Sequence, residues 1–157
     1  MQKKMQSAIE YLITYGWVLL IIVIALLILE VAGVFNTDSY IHTDCILPAS
    51  FQCIHPTFTT NGILTAGIRQ ITGYPINITA AYCNTLQEIP ANAPPFQANN
   101  IATGGNTTIS IPCYVNSTSQ FSGKIGRIYR GYLIVNYTNL ATSLQTSISG
   151  SVVLKVS

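Results

Sequence analysis

Between Tyr11 and Leu29 the chain carries nineteen consecutive residues without a charge, YLITYGWVLLIIVIALLIL. Such a run must be kept from water by a protein core, by lipid or by another chain, because exposing that much apolar surface is costly. The apolar character resumes after Glu30 and continues through Phe35. A helix over Gln6–Phe35 would be about 45 Å long, and a bilayer core asks for about 20 residues. Such a helix spans the hydrocarbon with a turn or two projecting. Lys3 and Lys4 precede it and no basic residue follows until Arg69, which puts the N-terminus in the cytoplasm and the rest outside. Tyr11, Tyr15 and Trp17 cluster at the cytoplasmic end, where amphipathic rings prefer the headgroup level. A simple anchor has no need of Glu10, the carboxylate between the lysine pair and the apolar tract.

Three readings compete for this segment. A cleaved secretory signal has an apolar core of roughly 7–15 residues followed by a small-residue site; this run is longer, and Val31-Ala32-Gly33 is a mediocre site. A permanent signal-anchor fits the length and the lysines. The third reading accounts for Glu10. The stretch KKMQSAIEYL, leading into Thr14-Tyr15-Gly16-Trp17, resembles the class III signal peptide of archaeal type IV pilins. The resemblance implies that a prepilin peptidase cuts between Met5 and Gln6, that the apolar segment stays in the mature chain, and that Glu10 occupies the fifth mature position. Met5 departs from the small residue usual before the cut. An ionised carboxylate near an apolar zone is costly unless paired or within reach of water. In a filament, the new α-amino group of Gln6 on a neighbouring subunit could approach Glu10 better than the chain's own amine and so set register. Glu30 reads as interfacial, and Gly16, Ala25 and Gly33 offer close-approach points for packing helices.

Beyond Asn36 the composition turns to Thr, Ser, Asn, Gly and Pro, with β-branched and aromatic residues between. Extended stretches are expected over Gly62–Ile71, Ile76–Cys83, Thr107–Val115, Lys124–Thr138 and Leu144–Val156. In the last, Leu144, Ile148, Val152, Leu154 and Val156 share one parity, the pattern of a half-buried strand; Lys124–Tyr137 is apolar on both parities, as a central strand would be. Gly123, Gly126, Gly131 and Gly150 are candidate turns or bulges. Asn84–Gly105 reads as loop, broken by Pro90, Pro94 and Pro95. The expected fold class is therefore α+β: a long N-terminal hydrophobic helix followed by an antiparallel β-sandwich or β-barrel-like head. Its parts would be a leader (1–5), a transmembrane or filament-core helix (6–35) and an extracellular β-rich domain (36–157).

Cys45, Cys53, Cys83 and Cys113 all fall in the outer region, and an even count beyond an export segment favours two disulfides. Of three connectivities, Cys45–Cys53 with Cys83–Cys113 is preferred because the first closes a short local loop. A metal site from His42, Cys45, Cys53 and His55 is the alternative, but its spacing matches no common zinc pattern, and no metal is expected. Four N-x-S/T sequons begin at Asn77, Asn106, Asn116 and Asn136. Asn106 and Asn116, near turns, are the better glycosylation candidates, and Asn136 sits within the expected central strand.

Only 8% of residues are charged and the formal net charge is +2, with no basic stripe to hold nucleic acid. There is no nucleotide-binding glycine loop, no H-E-x-x-H and no G-x-S-x-G; neither an enzyme nor a cofactor is expected. The resemblance implies a filament subunit polymerised with copies of itself, held first in the cell membrane and then at the extracellular surface. A peptidase, an assembly ATPase and a membrane platform are the implied partners, and surface adhesion the implied use. The alternatives are a single-pass anchored binding protein that never polymerises, or a minor pilin-like component of an uptake or secretion machine.

Overall fold

A computed structural model describes residues 2–35 and 41–157, with helix side chains given at 10, 13 and from 15 onward. Two compact units divide at Met1–Tyr40 and Ile41–Ser157. The first holds helix α1, Gln2–Val31. Its end is set by Gly33, whose left-handed φ of 72° is one that other residues adopt only at a cost. The Gly33 amide donates to Glu30 O at 2.9 Å and the Val34 amide to Leu29 O at 3.1 Å. This pair of bonds is the Schellman cap, which satisfies carbonyls that the last turn leaves without intrahelical partners. Gly33 therefore ends the helix, in a different role from the close-packing one expected of it.

The second unit contains eight strands: β1 (Asp44–Ile46), β2 (Phe51–Phe58), β3 (Ile63–Gln70), β4 (Ile76–Asn84), β5 (Asn99–Ile101), β6 (Asn106–Tyr114), β7 (Ile128–Asn139) and β8 (Gln145–Lys155). They form one sheet in the order β1-β8-β7-β4-β6-β3-β2, with β5 added on β4. The two ends of that order, β1 and β2, are tied together by the Cys45–Cys53 disulfide, so the sheet curls into a nearly closed barrel.

The α+β expectation is corrected on this point: the described residues are mainly β, one curled sheet and one helix whose described apolar side chains cover the short stretch Tyr15–Val31. Tyr11, Leu12 and Thr14 of the uncharged run lie outside the described side chains. Seventeen residues rise about 25 Å, short of the roughly 30 Å hydrocarbon layer. Among the described residues, no helix is long and apolar enough to cross a membrane. The sheet also departs from purely antiparallel pairing. After β4 the chain returns along the loop over residues 85–98 and pairs β5 antiparallel to the start of β4. The following turn then sends β6 parallel to β4, pairing it at Cys83↔Cys113 and Asn84↔Tyr114.

Alternation fills the barrel. In β3, Leu64, Ala66, Ile68 and Gln70 point inward; in β8, Val152 and Leu154 do the same, followed by Val156. β7 is paired along both edges, to β4 and to β8, and buries Leu133, Ile134 and Val135 in succession. Ile134 faces outward, but Gln87 donates from its amide to Ser149 Oγ, on the residue paired with Ile134, so the loop after β4 lies over that face. Gln70 is a buried polar residue with every need met: its Nε2 donates to Tyr74 O and Ala102 O, and its Oε1 accepts from the Thr72 amide and hydroxyl. Such satisfaction keeps a buried amide from being a liability.

Gly131 and Gly150, expected as turns or bulges, instead lie inside β7 and β8 opposite Val152 and Leu133. A Cβ on Gly150 would stand 2.1 Å from Ile46 O and 2.8 Å from the Leu47 side chain, because the chain leaving β1 passes close there. Gly150→Ala is expected to lower the stability of the β unit by about 1–3 kcal/mol, the usual cost of overpacking, read as a lowered midpoint in thermal unfolding.

Phe58, Phe121 and Tyr129 form an aromatic cluster with ring centroids 5.2–5.4 Å apart. The Tyr129 hydroxyl donates to Tyr114 O at 2.8 Å, and burial pushes its phenol well above the ordinary 10.0. A raised phenol favours the neutral form in the folded state. Its contribution is therefore full below pH 10 and falls as pH rises further. Stability measured by denaturant titration should decline above pH 10, and more shallowly in Tyr129→Phe. That variant should also lose about 1 kcal/mol at neutral pH, the worth of one hydrogen bond.

Candidate functional site

The strongest feature of the first unit is the surface of α1. Successive helical residues are turned about 100° from one another, so any four in a row sample the whole circumference. Trp17, Val18, Leu19 and Leu20 are all exposed, from 49% at Leu20 to 68% at Trp17. The same holds along the helix, through Ile21, Ile22, Val23, Ile24, Leu26, Leu27 and Ile28 to Val31. Ile24, Leu27, Ile28, Val31 and Ala32 line one shallow apolar groove, at helical spacing. A helix apolar on every side is suited to complete enclosure, whereas a single buried stripe would serve a helix lying on a core. Covering a large aliphatic side chain is worth about 1.5–3 kcal/mol, so five of them approach the stability of a whole domain.

Glu10 is exposed on α1. The expected cleavage residues Met5 and Gln6 fall within the helix, and their side chains lie outside those described. The Met5–Gln6 bond is thus in helical backbone, which a peptidase would have to unwind to reach.

In the second unit the cysteines pair as Cys45–Cys53 and Cys83–Cys113, with Cα separations of 5.8 and 4.4 Å. Their placement says more than their loop lengths. The first joins β1 to β2 at the two ends of the sheet, and the second joins β4 to β6 at the parallel junction. With both sulfurs of Cys45 and Cys53 so engaged, His42 and His55 have no thiolate to share a metal with. No group of three potential ligands occurs among the described residues. His55 instead starts a bulge in β2: it takes a φ of 47°, and the β2–β3 register shifts between Ile54 and Thr57.

Below the Cys83–Cys113 bridge, β4 and β6 part. The gap is a cleft of about 270 Å³, walled by the two strands and by the loop carrying Pro94, Pro95, Phe96 and Gln97. In the sequence this segment reads only as loop. The available signal was an aromatic and an amide directly following a proline pair.

The four sequons separate into two kinds. Asn77 and Asn136 are half-buried on neighbouring strands, each with its side-chain carbonyl enclosed and without a hydrogen-bond partner. Asn106 and Asn116 are exposed. The Asn116 carbonyl accepts from the Thr118 and Ser119 amides, which leaves its Nδ2 facing water. Glycosylation should therefore favour Asn106 and Asn116. Intact mass should fall by a glycan in Asn106→Gln or Asn116→Gln and stay constant, apart from the substitution, in Asn77→Gln and Asn136→Gln.

No protein-family model matches this chain, and a search of curated proteins gives no match either.

Proposed function

We propose that this chain is a non-catalytic structural subunit of an extracellular filament, assembled through α1 after removal of Met1–Met5. The observation that carries the reading is the exposure of apolar side chains around the full circumference of α1. Identical rods packed side by side supply the enclosure such a surface calls for, and lipid supplies it beforehand. Because lipid already shields the helix, the net drive from membrane to filament is smaller than the apolar area suggests, and an assembly ATPase and platform at the membrane provide the rest. The KKMQSAIEYL motif supports processing by a prepilin peptidase, and the two disulfides support an oxidising, extracellular setting. Glu10, on the new N-terminal turn, pairs with the Gln6 amine of a neighbouring copy and fixes the stagger between helices. The β unit then presents the outer surface used in adhesion.

N-terminal sequencing and intact mass of membrane and sheared-surface fractions test this directly. A mature chain starting at Gln6 and recovered in filaments is expected; an intact Met1, or a monomer under native conditions, would overturn it. Glu10→Ala should leave export unchanged and reduce filament yield several-fold by electron microscopy of sheared material. Undiminished filaments would remove Glu10 from the assembly account.

A further inference from the structure

We infer that the cleft between β4 and β6 is a binding site for one uncharged sugar residue. Its walls come from three places brought together by the topology. Tyr82 stands on β4, Thr108 and Ser110 on β6, and Phe96 and Gln97 on the loop, with Asn99 opening β5. The rings of Tyr82, Phe96 and Tyr114 offer apolar faces. The amides of Gln97 and Asn99 and the hydroxyls of Thr108 and Ser110 offer both donors and acceptors. No acidic, basic or histidine side chain lines the cleft. That composition disfavours phosphate, carboxylate and ammonium ligands, each of which recruits an opposite charge. A purely apolar ligand would bury the amides and hydroxyls without partners, at a cost. A neutral sugar ring satisfies both halves, stacking its C–H face on an aromatic while its hydroxyls exchange hydrogen bonds with Gln97, Asn99, Thr108 and Ser110.

Size and rigidity point the same way. A cavity of about 270 Å³ falls just below the roughly 300–1,000 Å³ of sites for drug-sized molecules, so it suits a single ring with the rest of a glycan projecting outward. The walls are fixed before any ligand arrives. The Cys83–Cys113 bridge clasps the narrow end. The Tyr114 hydroxyl, at the same end, donates to Asn92 O at 2.9 Å, and the Ala91 amide donates to Ser117 O at 2.8 Å. Pro94 and Pro95 stiffen what lies between. A preformed site loses little entropy on binding. The inference stands apart from assembly through α1: a chain that never polymerises would carry the same cleft.

The test is saturation-transfer NMR on the full chain in dodecylphosphocholine micelles, a detergent without a sugar headgroup. The probes are methyl α-mannopyranoside, methyl β-glucopyranoside and N-acetylglucosamine, beside the charged N-acetylneuraminic acid and the peptide trialanine. Transfer to at least one neutral sugar is expected, exceeding that to the acid or the peptide. Gln97→Ala, in an exposed loop and with an unchanged unfolding midpoint, should weaken it about five-fold, as expected for one lost hydrogen bond. Tyr82→Ala should abolish it. The inference is overturned if no neutral sugar receives saturation, if the acid or the peptide receives more, or if Gln97→Ala binds as the parent does.

Discussion

Everything in the β unit depends on joining strands that hydrogen bonds alone hold poorly. β1 has three residues, and β2 is interrupted by the bulge at His55 and Pro56. Left apart, both would be open edges, ready to pair with another chain. The Cys45–Cys53 bond ties one to the other. At the opposite seam the parallel pairing of β4 with β6 extends over two residue pairs, and Cys83–Cys113 holds it there. Bridges closing loops of 8 and 30 residues are worth about 2.5 and 3.5 kcal/mol on the chain-entropy account. That is a substantial fraction of the 5–15 kcal/mol by which domains are stable. Both bonds sit where the ladder is weakest.

The second seam also explains the cleft. β4 has two partners along one edge, β5 near its start and β6 at its end, because the chain between them must travel back before it can pair again. Wherever a strand changes partners, its edge is left without a ladder for a few residues. Here that stretch falls between Ile78 and Cys83. The proline loop then covers it only partly. A disulfide that fixes the fold and a gap that admits a ligand are thus two consequences of one topological step.

How much of this could be read from the residues depended on the length of each pattern. β3, β4, β6, β7 and β8 coincide closely with the expected extended stretches: β8 shows parity over its length, and β7 is apolar on both parities as a central strand. β1 and β5 have three residues each, too few for any period, and β2 carries Pro56 within it and is not among the expected stretches. Proline is tolerated there because β2 ends the sheet order and lies at a bulge. The parallel junction was not legible, because strand direction is fixed by how the loop over 85–98 returns and no local residue preference encodes it. The uncharged run overstates the helical share of the fold, because the β unit supplies most of the chain's structure. Glu10, Lys3 and Lys4, with Gln2, Gln6, Ser7 and Thr14, dilute the first half of α1, and the described apolar part is short. The cysteine pairing was accessible from spacing. Its purpose became clear only once the strand order placed each bond at a seam.

The two units solve opposite problems with the same chemistry. In the β unit, apolar side chains from several strands meet inside the barrel, so the unit has a core of its own. In α1, the charged groups sit at the two ends, Lys3, Lys4 and Glu10 before the apolar tract and Glu30 after it, and the apolar ones from Trp17 onward point in every direction. Selection for stability of a lone chain would produce a stripe. An apolar surface without a polar side is useful where the surroundings are apolar on all sides, whether acyl chains or identical helices. Packing among copies places one further demand, that the stagger between rods be specified, because smooth apolar cylinders can slide past each other at little cost. A single carboxylate at a fixed height, facing an amine at the end of a neighbour, opposes that sliding, and it does so more strongly the less water reaches it. Under the proposed assembly this is the role of Glu10 at the border of the apolar tract: within the uncharged run its charge would be costly to bury, and beyond the lysines it would be too well screened to set register.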